Sequence, residues 1–106
     1  MERRLGTRIV IDEEKVLREE IYDLEEMYRL LDCFAEDSGM VKKDKFTYEC
    51  RGDERDMSSL ATFLYVYIRR MKWLTTNLKQ WEWLENGVAT EDLIAFSKAE
   101  KKGVWE

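Results

Sequence analysis

Carboxylates are the most concentrated chemically capable side chains in this sequence. Between positions 12 and 37, eleven acids stand against three cations, a local net of −8 in a chain whose total is −5. Within that run Glu19, Glu20, Asp23, Glu25, Glu26, Asp32, Glu36 and Asp37 include several three- and four-residue steps, which a helix would bring onto shared faces. Such a surface can hold a divalent cation if a second helix supplies converging carboxylates, as in helical nucleotide pyrophosphohydrolases. It can also present a negative face to a cationic partner. The first use needs more than the chain offers, because the other helix-like segment contributes only Glu82 and Glu85 near its end. No metal and no cofactor are expected.

Other reaction chemistries are poorly supplied. The chain has no histidine, the side chain that most often moves protons near neutral pH, and this excludes Ser-His-Asp and Cys-His nucleophile arrangements. Ser58-Ser59 and Thr75-Thr76 have no base beside them in sequence and read as caps or helix surface. Cys33 and Cys50 are too few for a zinc site and read as reduced, small apolar filler. The five glycines are scattered at turns, with no phosphate-binding loop among them. No catalytic residue is expected.

A third chemistry is aromatic. Arg69, Arg70, Lys72 and Lys79 lie near Tyr65 and Trp73, a mixture that in single-strand binders stacks bases and meets phosphates. These cations point in several directions around a helix, so pairing with the acidic helix is the simpler expectation. Arg3, Arg4 and Arg8 add only a small basic patch.

The elements that would position these residues follow from hydrophobic period. At 106 residues the chain has the length of one domain, and a 44% hydrophobic fraction indicates a folded core. Residues 7–11 read as a strand or arm, and 45–51 alternate as a strand with Phe46, Tyr48 and Cys50 on one side. Residues 13–37 read as one acidic amphipathic helix, capped by Asp12 and closed by Gly39, with Leu17, Ile21, Leu24, Tyr28, Leu31 and Ala35 on its inner face. Residues 57–86 read as a long aromatic-rich helix stopped by Asn86-Gly87, and 91–101 as a short terminal helix capped by Thr90 and closed by Gly103. Trp105 is expected to dock on the body. The expected class is α+β, mainly helical, in a single domain spanning 1–106.

The long helix carries the functional expectation. Leu60, Phe63, Leu64, Tyr67, Ile68, Met71, Leu74, Leu78 and Trp81 make its main stripe, whereas Tyr65, Val66, Trp73, Trp83 and Leu84 project from the other side. Continuous at ~1.5 Å per residue, it would span roughly 43 Å, beyond a globule of about 33 Å diameter. A break, if present, would fall at the weak helix formers Thr75-Thr76-Asn77. Tyr65, Trp73 and Trp83 are therefore the expected interface, with Glu19, Glu20, Asp23 and Glu26 supplying electrostatic selectivity. The sequence reads as a non-enzymatic, self-associating protein-interaction module. It would act as a small inhibitor or adaptor, a homodimer docking a basic, nucleic-acid-handling protein. The competing readings are a helical oligomer binding a small ligand or nucleotide, and a weak nucleic-acid-binding accessory protein. No apolar run approaches the ~18 residues of a membrane span, so a cytoplasmic setting with no membrane partner is expected.

Overall fold

The computed structural model describes residues 4–52 and 54–100. Its centre is β1 (Leu5–Ile11), whose alternate residues Leu5, Thr7, Ile9 and Ile11 are all buried on one face. After it come α1 (Glu13–Glu19), α2 (Leu24–Ser38), β2 (Val41–Lys42), β3 (Thr47–Glu49) and α3 (Asp56–Ala61). A π-helical segment (Thr62–Tyr67) and a 3-10 turn (Ile68–Arg70) prolong α3 toward α4 (Lys72–Thr75). The chain then forms β4 (Leu78–Glu85), β5 (Val88–Asp92) and α5 (Leu93–Ala99). The five strands make one sheet in the order β2-β3-β1-β4-β5, and every neighbouring pair is antiparallel.

The core lies between the inward face of this sheet and the helices. Ile9, Ile11 and Trp81 from the sheet meet Met27, Leu31 and Ala35 of α2 and Leu60, Phe63, Leu64, Ile68 and Leu74 of the crossover. Burying each large apolar side chain stabilises the fold by about 1.5–3 kcal/mol. The one polar side chain in this row of β1 is satisfied, since the Thr7 hydroxyl donates to the Glu82 carbonyl at 2.7 Å. Tyr48 packs edge-on against Phe63 with ring centres 5.2 Å apart.

The long helix over 57–86 does not exist, and this corrects the expected fold. Helix geometry ends at Thr75, and residues 78–85 are the strand β4, so the sheet has five strands and the class is α+β. Three physical reasons are visible. Thr76 turns its hydroxyl back to the Lys72 carbonyl at 2.7 Å, and the Asn77 amide donates to the Trp73 carbonyl at 2.7 Å, so polar side chains close the last turn. Next, the Asn77 carbonyl accepts the Asp12 N–H at 2.7 Å, which delivers the chain to the sheet. Finally, Trp81 and Trp83 pair in register with Ile9 and Thr7, a row of aromatic and β-branched neighbours suited to a pleated surface. Asn86-Gly87 is a hairpin turn, not a helix stop: both residues have positive φ, 54° and 80°, as a type I′ turn requires.

The helical stripe within residues 60–74 is nevertheless real. Leu60, Phe63, Leu64, Ile68 and Leu74 are fully buried. The wider π turns shift the stripe part-way along and let Tyr67 stack flat on Phe34, with centroids 4.8 Å apart. The acidic helix over 13–37 is also two helices. Glu20 enters the left-handed region at φ 53°, and Asp23 starts α2 by accepting the N–H groups of Glu25 and Glu26. The break lets α1 fold back so that Glu13 accepts the Tyr28 hydroxyl at 2.6 Å, a contact a continuous helix would hold roughly 22 Å apart.

The strand expected over 45–51 is present as Thr47–Glu49, and the arm over 7–11 is the central strand. The terminal helix is capped by Asp92 in place of Thr90, which lies in β5. The expectations for Arg3, Gly103 and Trp105 fall outside the described residues.

Candidate docking surface at the α1–α2 corner

Capping and one buried residue explain why α1 sits where it does. Asp12 accepts the Lys15 N–H at 3.1 Å, and Val16 is the only residue of α1 that is buried in the core. Lys45 adds an ion pair to Glu13 at 2.9 Å, and the Lys15 ammonium donates to the Thr76 carbonyl. Once Val16 points inward, a seven-residue helix must turn its other apolar residue outward. Leu17 is 64% exposed, and around the corner Ile21 is 68% and Tyr22 is 42% exposed. These residues line one open depression of about 700 Å³ together with Val16, Leu24, Glu20, Asp23 and Glu25. A shallow apolar floor with an acidic rim suits inserted side chains of a protein partner better than an enclosed small molecule.

The four acids singled out in the sequence have different fates. Glu19 and Glu20 are exposed and form no ion pair among the described residues. Asp23 holds its carboxylate on the first amides of α2, at 3.0 and 3.4 Å. Glu26 is ion-paired with Arg29 one turn on, and the Arg29 hydrogen bond lowers its pKa below the ordinary carboxylate value. The rim of the depression is thus carried by Glu20, Asp23 and Glu25, with Glu19 beside it and Glu26 neutralised.

Tyr65, Trp73 and Trp83 lie on three different elements, the π segment, α4 and β4. All three are half-buried and pack against the core. The Arg69 guanidinium lies 4.1 Å from the centre of the Tyr65 ring. Among the described residues, no ion pair joins Arg69, Arg70, Lys72 or Lys79 to the acidic helices. Those helices are paired instead by the lysines of the β2–β3 hairpin: Lys42 meets Asp32 at 3.0 Å, and Lys45 meets Glu13.

Two tyrosine–carboxylate–lysine sets result, Tyr28–Glu13–Lys45 and Tyr48–Asp32–Lys42. Burial, then the accepting carboxylate, pushes both tyrosine hydroxyls up. Both phenols therefore stay protonated donors across physiological pH and offer no nucleophile. Cys50 is buried, with its thiol 3.3 Å from the Asp56 carbonyl, so the filler reading holds for it. Cys33 is exposed on α2, and that reading does not describe it. Among the described residues no group of three or more acids and cysteines could hold a metal ion, and no helix is long and apolar enough to cross a membrane.

Sequence reasoning places Leu17 and Ile21 on the inner face because their period matches a buried helical stripe, and it assigns Tyr22 no role. The available signal was Asp23 followed three residues later by Glu26, a helix-start pattern inside the supposed helix. No protein-family model matches the chain, and no curated protein or solved structure matches it.

Proposed function

We propose that this chain is a non-catalytic protein-binding module that docks a basic protein through the α1–α2 corner. The observation that carries the reading is the shared exposure of Leu17, Ile21 and Tyr22 around one acid-rimmed depression. Large apolar side chains left together at a surface mark interaction sites. The acids around them select cationic partners by steering encounter and disfavouring acidic surfaces. The net −8 of residues 12–37 gives that field its sign. An inhibitor or adaptor acting on a nucleic-acid-handling protein fits this surface, because such proteins present cationic faces. The mechanism is occlusion or recruitment, with no covalent step. The homodimer expected from the sequence drew on the second face of a long helix, and without that helix the proposal rests on docking a different protein.

The test compares the intact protein with a Leu17→Ser/Ile21→Ser double variant as baits in a cell lysate. The expected result is a cationic protein captured by the intact chain, reduced at least about ten-fold by the double variant and weakened by added salt. Equal capture by both baits overturns the corner as the docking surface. Because both side chains are exposed, the variant should keep its circular dichroism and melting profile.

A further inference from the structure

Among the described residues nothing pairs with the outer edge of β5, which is the last strand of the sheet, is joined to β4 alone and has all five of its residues exposed. Edge strands left this way are templates for another strand, and proteins guard them with short length, proline, bulges, covering elements or charged side chains, lysine above all; β5 has a bulge and two acids but no cation. The opposite edge is guarded in that manner: β2 is two residues long, and Lys42, Lys43 and Lys45 lie in or beside it. β5 has no lysine and no proline.

Charge decides what could pair there. From Trp81 to Asp92 the chain carries Glu82, Glu85, Glu91 and Asp92 and no lysine or arginine. Glu82 is engaged by Arg8 at 3.3 Å, and Asp92 caps α5 by accepting the N–H groups of Ile94 and Ala95. Glu91 is exposed and has no ion pair among the described residues. A second copy of β5 would bring two such acidic edges together, so self-pairing is disfavoured. We infer that the β5 edge accepts an extended cationic segment of another protein as a sixth strand of the sheet.

The register says how it would be read. Val88 pairs with Glu85 and Glu91 pairs with Trp83, because a bulge beside Thr90 inserts an extra residue between them. Val88 and Glu91 therefore share the face that carries Trp83. An incoming strand places an apolar side chain beside Val88 and a cation beside Glu91. In a two-residue hairpin the pair flanking the turn is mutually hydrogen-bonded, so the amide of the following residue, Ala89, is directed away from β4 and toward the newcomer. Main-chain bonds supply affinity and the alternate side chains supply selectivity, as in other strand additions. None of these residues belongs to the α1–α2 corner.

The probe is a soluble heptapeptide with a central Lys-Thr-Val, which puts lysine and valine on one face, compared with its Glu-Thr-Val counterpart and with a version whose central threonine is proline. The lysine peptide is expected to bind at least about ten-fold tighter than either control and to slow amide exchange at Ala89. Ala89→Pro, which removes the outward donor, should weaken binding about ten-fold. Glu91→Lys, on an exposed side chain with no structural role, should invert the preference toward the glutamate peptide and keeps the test valid if Ala89→Pro misfolds. The Leu17→Ser/Ile21→Ser variant should bind the peptide like the intact chain, which separates this edge from the corner. Equal affinity for the proline-interrupted peptide, unchanged preference in Glu91→Lys, or no binding of the lysine peptide overturns the inference.

Discussion

Two hairpins flank the central strand, and they are held in different ways. The β2–β3 hairpin is short and is fastened by side chains. Lys42 reaches Asp32, Lys45 reaches Glu13, and the Tyr48 hydroxyl donates to Asp32 from beneath. The β4–β5 hairpin is long and is fastened by backbone geometry and apolar burial. Its ladder to β1 runs from Glu85 to Leu78, Trp81 is fully buried, and Asn86 accepts the Arg4 N–H on its side-chain oxygen at 2.9 Å. The first hairpin spends its charges on the helices and closes its edge. The second leaves Glu91 exposed on its outer strand. The same sheet can therefore be protected on one side and available on the other, because the cations that guard an edge also lie where they reach helix carboxylates.

The contrast can be broken most severely at β4. Trp81→Ala should cost about 3–5 kcal/mol in denaturant unfolding, a large share of the 5–15 kcal/mol typical of a domain. A loss below about 1 kcal/mol would mean that burial does not anchor this hairpin. On the other side of β1, Gly6→Ala would place a Cβ 2.6 Å from the Tyr48 carbonyl oxygen, a backbone atom that cannot swing away. The expected cost is about 1–3 kcal/mol, with faster amide exchange in Thr47–Glu49 and little change in β5. Gly87→Ala meets no atom within 4 Å but stays at φ +80°, so only backbone strain of about 1 kcal/mol is expected. A larger loss would show that the turn is doing more than reversing the chain.

The smallest effect sharpens the electrostatic half of the comparison. Glu13 has its pKa lowered, first by the Tyr28 hydroxyl and then by Lys45. A carboxylate depressed in the folded state contributes stability that is present above its unfolded pKa, about 4.3. That contribution is lost as pH falls through the lower folded value. Stability should therefore decline below about pH 4.5 with a component that Tyr28→Phe removes more fully than Lys45→Met. Melts across pH 3–6 check this, and an unchanged acid limb in both variants would remove Glu13 from the clamp. Glu13 is 34% exposed, so solvent screens the pair and the effect stays modest.

Local signals explain which parts of this architecture were readable. The first strand was visible from its β-branched residues, and the crossover helix from Leu60, Phe63, Leu64, Ile68 and Leu74, whose period survives in the structure. β4 reads as helix because Leu78 and Trp81 continue the helical spacing of Leu74, and a short apolar run is ambiguous between the two periods. Asn-Gly after a Trp-x-Trp alternation was the better guide, since a two-residue turn with two positive φ values favours that pair. At the corner, the acids Glu19, Glu20 and Asp23 were legible from charge alone. Leu17 and Ile21 were not, because a period cannot say where a helix stops and reverses.

Composition and short-range pattern by themselves determined that the chain has a core, that its negative charge belongs to residues 12–37, and that histidine chemistry is absent. They also determined inward positions such as Leu60, Phe63, Leu64 and Ile68, where the apolar period coincides with burial. Only tertiary structure decided that the acidic segment folds back on itself and that residues 78–85 join β1. Both outcomes depend on partners distant in sequence: Glu13 needs Tyr28 and Lys45, and Trp81 needs Ile9. Local propensity differences of a few tenths of a kcal/mol per residue yield to such contacts, and so the surfaces left over for binding were fixed by long-range pairing.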